Sequence, residues 1–202
     1  MNSLLLLSCN ILEKKDSNRE DVAWWNRSSM KKKKKCYNKG DGCMDFACYM
    51  ARDLAKYIVN KCIHDDKPIS NLTLQKLLYL VQLTMIKETG EIAFCDDIEA
   101  WKFGPVVPDA YYYMCGNGAF TIITPYKLQE KPTGPAKIII DRVVDEKRDM
   151  EPFALQEEIE KEGSPWKRVY NDGKGSKEVI PLEMMYDYVK PNKKWSDLLW
   201  WL

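Results

Sequence analysis

The chain has 202 residues, 45% hydrophobic and 30% charged, which suits one domain with a single core and is short for a two-domain enzyme. Its 31 basic and 30 acidic side chains leave a net charge of +1, without the electrostatic footprint that a nucleic-acid binder carries. No run approaches the roughly 20 consecutive apolar residues of a membrane-spanning helix, so a soluble, cytoplasmic protein with no membrane partner is expected.

The near-zero total hides an asymmetry. Residues 1–43 hold 10 basic and 5 acidic side chains, whereas residues 44–202 hold 21 and 25. The opening run Leu4 to Leu7 with Ser8-Cys9 superficially resembles a lipoprotein cleavage site. It has no positive residue before it and too short an apolar stretch for a signal. The lysine run Lys31 to Lys35 and the Lys39-Gly40-Asp41-Gly42 turn follow, with no sustained periodicity. Residues 1–43 are expected to be a disordered, basic, flexible extension. One alternative is an arm for phosphate backbones or acidic surfaces. Another is translation that begins downstream, at Met30 or Met44.

From Met44 the character changes. Asp45 is a candidate N-cap, and Phe46, Met50, Leu54, Tyr57 and Ile58 share one face of a helix running to about Cys62. His64 to Pro68 reads as a turn. Ser70 and Asn71 then offer cap oxygens to a helix over 72–89, with Lys87 in its last turn and Gly90 closing it. Leu74, Leu77, Leu78, Val81 and Met85 form a stripe that Leu80 and Leu83 widen, making this the central core helix. On such a helix the polar residues Gln75, Lys76 and Gln82 have to find partners.

Ile98 to Phe103 alternates as a short extended element, Phe103 less cleanly than the others, and Gly104-Pro105 predicts a turn. Pro108 opens a short helix through Met114 that Gly116 ends. Phe120 to Pro125 is extended or loop, and Lys131 to Pro135 is a turn-rich connection. Helices are expected over 136–148, 152–160 and 181–189, with Pro152 and Pro181 in their first turns and Ser164-Pro165-Trp166 as a break. The tail Trp195 to Leu202 is apolar and is expected to dock on the core. The fold class is therefore mainly α: a compact helical domain around one core helix, about 72–89, with a minor extended element near 98–103.

Reactive chemistry is sparse. The seven cysteines (Cys9, Cys36, Cys43, Cys48, Cys62, Cys95, Cys115) are odd in number and contain no C-x-x-C pair. They read as reduced, mostly buried thiols rather than zinc ligands. The single histidine, His64, stands beside Asp65 and Asp66 in a turn and is expected to be solvated. Asp65-Asp66, Asp96-Asp97 and the stretch from Glu157 to Glu162 are explained as surface charge. There is no phosphate-cradling glycine motif. Tyr111-Tyr112-Tyr113 sits among acidic rather than basic residues, unlike a single-strand platform. No enzyme activity, catalytic residue, metal, cofactor or small-molecule substrate is expected, and nucleic acid is not an expected partner.

Three motifs carry a resemblance: Ile69-Ser70-Asn71-Leu72 leading into Leu74-Gln75-Lys76-Leu77-Leu78-Tyr79, then Glu99-Ala100-Trp101-Lys102-Phe103-Gly104-Pro105-Val106-Val107-Pro108 ending at Tyr111, and Ser164-Pro165-Trp166. Residues 46 to about 190 resemble the Panacea domain, the SocA-like antitoxin family, which also takes in GepA-like phage-associated proteins. The domain division is then an extension over 1–43, a Panacea domain over 44–190 and an apolar tail over 191–202.

The resemblance implies an antitoxin of a bacterial or prophage type II toxin–antitoxin system, which neutralises a neighbouring toxin by direct protein–protein binding. It also carries two alternatives: a proteolytic adaptor that delivers the toxin to a Clp protease, and a phage-associated accessory protein of other activity. Some resembling chains add a DNA-binding domain, and no helix-turn-helix addition is evident here. Where resembling chains commonly carry a histidine ahead of Pro-Trp, this one has Glu160.

Carried onto the motif positions, the implied partner-binding residues are Gln75, Lys76, Tyr79, Trp101, Lys102, Gly104, Pro105, Tyr111, Pro165 and Trp166. The alternative is structural: the motif holds the core helix to the extended segment, a reading that suits Leu74, Leu77, Leu78, Trp101 and Pro105 best. Toxin specificity would then fall to Tyr112-Tyr113, residues 117–135 and the apolar tail.

Overall fold

A computed structural model describes residues 48–189. The expectations for residues 1–43, for the cap at Asp45 with Phe46, and for the tail Trp195 to Leu202 lie outside the described residues, as do Cys9, Cys36 and Cys43. Seven helices and one hairpin follow in the order α1 (Ala51–His64), α2 (Asn71–Thr89), β1 (Glu99–Trp101), β2 (Gly104–Val106), α3 (Pro108–Met114), α4 (Gly134–Lys147), α5 (Pro152–Ile159), α6 (Pro165–Tyr170) and α7 (Leu182–Val189). The fold is mainly α, as expected. Among the described residues no helix is long and apolar enough to cross a membrane.

Helix α2 is the axis. It buries 14 of its 19 residues and touches α1, α3, α4, α5, α7 and β2. That is the signature of a helix apolar nearly all round rather than along one stripe. Its start is capped by the Ser70 hydroxyl, which accepts the Thr73 N–H at 3.2 Å, and its end by Gly90 at φ 73°. Asn71 is the first helical residue rather than a cap, and its side-chain amide donates to the Tyr111 carbonyl at 3.0 Å.

Helix α1 starts at Ala51, with Met50 as an N-cap that supplies no side-chain bond. The cap comes from across the chain, where the Asp96 carboxylate accepts the Ala51 N–H at 2.8 Å. The 98–103 segment is half of an antiparallel hairpin, with Glu99 opposite Val106, Ala100 opposite Pro105 and Trp101 opposite Gly104. The turn is thus Lys102-Phe103, and Gly104-Pro105 belongs to the return strand. Pro105 is tolerated there because β2 is an edge strand. The other edge of β1 is covered by residues 177–180: Ala100 N–H donates to Glu178 at 2.8 Å, and Lys177 N–H donates to Ala100 at 2.7 Å.

Three proline sites differ from expectation by a residue or more. Ser164-Pro165-Trp166 opens a helix instead of only breaking one: the Ser164 hydroxyl accepts the Lys167 N–H at 3.2 Å and Pro165 takes the first helical position. Pro181 lies just outside α7, where its carbonyl accepts from Met184 at 3.1 Å. Helix α4 begins at Gly134, ahead of the expected Ala136.

The cysteine reading needs a correction. Cys48 and Cys95 are joined in a disulfide across 47 residues. The pairing was hidden in sequence because it depends on Tyr49 lying in a parallel bridge with Phe94. Cys62 is a buried thiol and Cys115 a half-buried one, and burial pushes the Cys62 thiol up.

At the far end of α1 an ion network ties it to α4. Asp65 accepts from Lys61 at 2.9 Å and from Arg148 at 2.5 Å, and Asp145 bonds both Lys61 at 2.9 Å and Arg148 at 3.0 Å.

Candidate interaction surface around the hairpin

Residues of all three motifs meet where α2, the hairpin and α6 come together. Gln75 is 1% exposed and spends both ends of its amide. Its nitrogen donates to Asn71 Oδ1 at 3.0 Å, and its oxygen accepts the Val107 N–H at 3.0 Å. Gln82, one face over, accepts the N–H groups of Ala93 and Phe94 at 2.9 and 3.2 Å and donates to the Phe94 carbonyl at 3.1 Å. These two glutamines give irregular backbone on either side of α2 the partners that a helix or sheet would otherwise supply.

Lys76 is buried, with its aliphatic stem running beside Gly104. Burial pulls its ammonium below the usual lysine range, and the charge of Glu160 opposes that shift. Glu160 is thus the carboxylate whose charge reaches the motif lysine. Gly104 sits at φ 120°, a conformation open to glycine and strained for any side chain. Tyr79 is 1% exposed. Its hydroxyl is buried beside the backbone of Trp166, and burial drives its pKa far above the usual phenol value.

Trp166 closes the junction by donating its indole N–H to the Trp101 carbonyl at 3.0 Å and stacking on Tyr170 with ring centroids 4.8 Å apart. Gly104, Pro105, Tyr111 and Pro165 are buried alongside, Trp101 is half-buried, and Lys102 is exposed. Of these ten motif residues only Lys102 is exposed.

Above that junction lies an aromatic surface. Trp101 packs on Tyr111 and Tyr112, at centroid distances of 5.1 and 6.2 Å. Lys177 caps the Trp101 ring at 5.0 Å, and Lys102 lies 5.6 Å from the Phe103 ring. Tyr112 and Phe103 remain 43% and 46% exposed. Phe103, which fits the alternation of the extended segment less cleanly than Ile98 and Ala100, is exposed and sits in the two-residue hairpin turn. Lys177 carried no sequence signal, since it reaches Trp101 only through the pairing of residues 177–180 with β1.

Tyr113 looks the other way. Arg52 and Lys56 approach its ring at 5.2 and 5.0 Å, and Lys56 is also bonded to Asp53 at 3.0 Å. The Asp109 carboxyl nearby is pushed up to about 6, chiefly by burial, with the Arg52 charge opposing. His64, at 88% side-chain exposure, touches Asp65 at 3.2 Å. Among the described residues no three His, Cys, Asp or Glu side chains are placed to hold a metal.

Residues 74–167 match the family model described as "Antitoxin SocA-like, Panacea domain". The matched stretch runs from one residue before Gln75 to one residue after Trp166, so it encloses the ten motif residues. The chain is also similar to Antitoxin SocA of Caulobacter vibrioides (strain NA1000 / CB15N), with 42% identity over 73 residues, 36% of this chain and 39% of that relative. It thus spans about two fifths of the length of the curated relative it matches. No solved structure matches.

Proposed function

We propose, from the premise that residues 74–167 form a SocA-like Panacea domain, that the chain is an antitoxin and neutralises a protein toxin by binding it directly, as in a type II pair. The observation that carries this reading is the surface of Trp101, Tyr112 and Phe103 with Lys102 and Lys177. Exposed aromatic side chains held against cations on a rigid base are the kind of anchor that concentrates binding energy.

The buried motif residues then have a supporting role. Gln75, Asn71 and Lys76 hold the hairpin against α2, Trp166 holds it against α6, and the anchors are presented without an ordering cost at the moment of binding. Neutralisation by occupancy requires no chemistry. A standard complex buries roughly 1,600 Å² in total, an area that extends beyond the hairpin to the Tyr113 side.

The test is co-expression of the full chain with the adjacent reading frame, if that frame arrests growth alone. The expected result is restored growth and co-purification of the two proteins. A double variant Phe103→Asp/Tyr112→Asp should keep its melting temperature and lose at least tenfold in affinity. Unrelieved arrest, or rescue by the double variant equal to the parent, overturns the reading. Rescue that disappears in a Clp-deficient strain, together with persistence of the toxin there, replaces simple neutralisation with the adaptor role.

A further inference from the structure

The chain entering α1 runs beside the segment that leaves α2, and the Cys48–Cys95 disulfide joins the two with Cα atoms 6.4 Å apart. Both cysteines are half-buried, whereas Cys62 is fully buried. A small thiol can therefore reach the disulfide and not Cys62.

The bond is not what brings the segments together. Tyr49, 4% exposed, donates its N–H to the Ala93 carbonyl at 3.0 Å, and its hydroxyl accepts the Thr133 N–H at 3.4 Å. Ala51 donates to Asp96 at 2.8 Å, and Gln82 ties the backbone of Ala93 and Phe94 to α2. The residues flanking each cysteine are pinned by contacts that do not involve sulfur. Two thiols held in this way meet again as neighbours rather than by diffusion.

What the bond adds is resistance to local opening. Met50 supplies no side-chain cap to α1, and the cap it does have, Asp96, is the residue next to Cys95. With the disulfide closed, residues 48–51 cannot lift away from residues 93–96. With it open, a few hydrogen bonds hold them, and a segment so attached opens readily. The same end of α1 carries Arg52 and Lys56 onto the Tyr113 ring of α3 at 5.2 and 5.0 Å, so the sulfur pair sets how firmly α1 grips α3.

We propose that Cys48 and Cys95 form a reversible thiol–disulfide site whose oxidation state controls the fastening of α1 to residues 93–96, with a dithiol as reductant and glutathione disulfide as oxidant. In reduction, a thiolate of the dithiol attacks one sulfur of the pair, and the other leaves as a thiolate and takes up a proton. The second sulfur of the dithiol then displaces the first protein sulfur from the mixed disulfide, and that sulfur is protonated in turn. Two electrons and two protons reach the protein, and the dithiol departs as its own disulfide. Glutathione disulfide reverses the change and departs as two molecules of glutathione. This site goes beyond the toxin-binding reading, and its test needs no toxin.

The full chain is equilibrated without denaturant in glutathione buffers of stepped composition, and in dithiothreitol followed by glutathione disulfide. Each sample is quenched in acid and alkylated, and the state and partner of every cysteine are mapped by mass spectrometry. Cys48 and Cys95 should change together in one two-electron step, open in dithiothreitol and re-form the same pair in glutathione disulfide, while Cys62 stays a thiol. Hydrogen exchange over residues 49–54 should speed at least tenfold on reduction, and Cys48→Ser/Cys95→Ser should exchange like the reduced parent in every buffer. Pairing of either cysteine with Cys9, Cys36, Cys43 or Cys115 overturns the proposal. So do a bond that opens only after global unfolding, cysteines that titrate independently, exchange over 49–54 that ignores the oxidation state, and a double variant that responds to the buffers as the parent does.

Discussion

The side-chain oxygen of Gln75 holds the backbone N–H of Val107, 32 residues away, at 3.0 Å, while the other end of the same amide donates to Asn71. This contact fixes the end of β2 to the first turns of the core helix. The hairpin and its aromatic surface take their orientation from it.

Replacing Gln75 with leucine should therefore destabilise the protein by about 1–3 kcal/mol, the cost of leaving a buried amide N–H without a partner. The Val107 amide should also lose protection from hydrogen exchange. Urea titration with exchange mass spectrometry reads both effects. An unchanged unfolding midpoint would mean that another acceptor takes over.

Lys76 and Lys102 occupy adjoining motifs, and the resemblance places both among the partner-binding residues. The structure separates them, with Lys76 buried and Lys102 exposed. Lys76→Glu should cost at least about 3 kcal/mol, because it buries a like charge facing Glu160. Lys76→Met should stay within about 1 kcal/mol of the parent. Lys102→Glu should change stability by less than about 0.5 kcal/mol and report on partner binding alone. Thermal melts of the three variants decide this; equal melting temperatures for Lys76→Glu and Lys102→Glu would contradict the burial.

Asp109 predicts an unusual pH dependence. Its folded pKa is raised to about 6 from 3.8, so between those values the native state holds a proton that the unfolded chain releases. The contribution of this group to stability therefore falls as pH rises through that window and stays low above it. Asp109→Asn, which cannot ionise, should be more stable than the parent by about 2 kcal/mol at pH 7.5, and the gap should close below pH 4. Denaturant midpoints measured across that range give the sign directly.

Asp65 runs the opposite way. Hydrogen bonds from Arg148, then Lys61 and His64, hold its carboxyl well below the usual carboxylate range. Its contribution is complete above the unfolded value and is lost only as pH falls through the lower folded one. Asp65→Ala leaves Arg148, at 8% side-chain exposure, with Asp145 as its remaining ionic partner in this network. The expected cost is about 3 kcal/mol at pH 7. The difference from the parent should persist at pH 4 and narrow only in stronger acid, as thermal denaturation against pH would show.

Much of the helical frame was legible because its signals are local. Ser70, the leucine spacing of 72–89 and Gly90 define a helix through contacts no more than four residues apart. The demand that Gln75 and Gln82 find partners was also readable, since a polar residue on an all-buried helix has few alternatives. Ser164-Pro165-Trp166 was half legible: the same residues that break one helix cap the next. Phe103 breaks the alternation of Ile98 and Ala100 because a two-residue turn reverses the chain at that point.

Local spacing, caps and the three motifs were enough to determine a helical domain built on one central helix and the family it resembles. Tertiary structure alone decided that Cys48 meets Cys95, that Asp96 caps α1, that Lys76 is buried while Lys102 is exposed, and that Lys177 covers Trp101. Each of these depends on where segments tens of residues apart come to rest. Packing of the whole core settles that, and no short-range pattern encodes it.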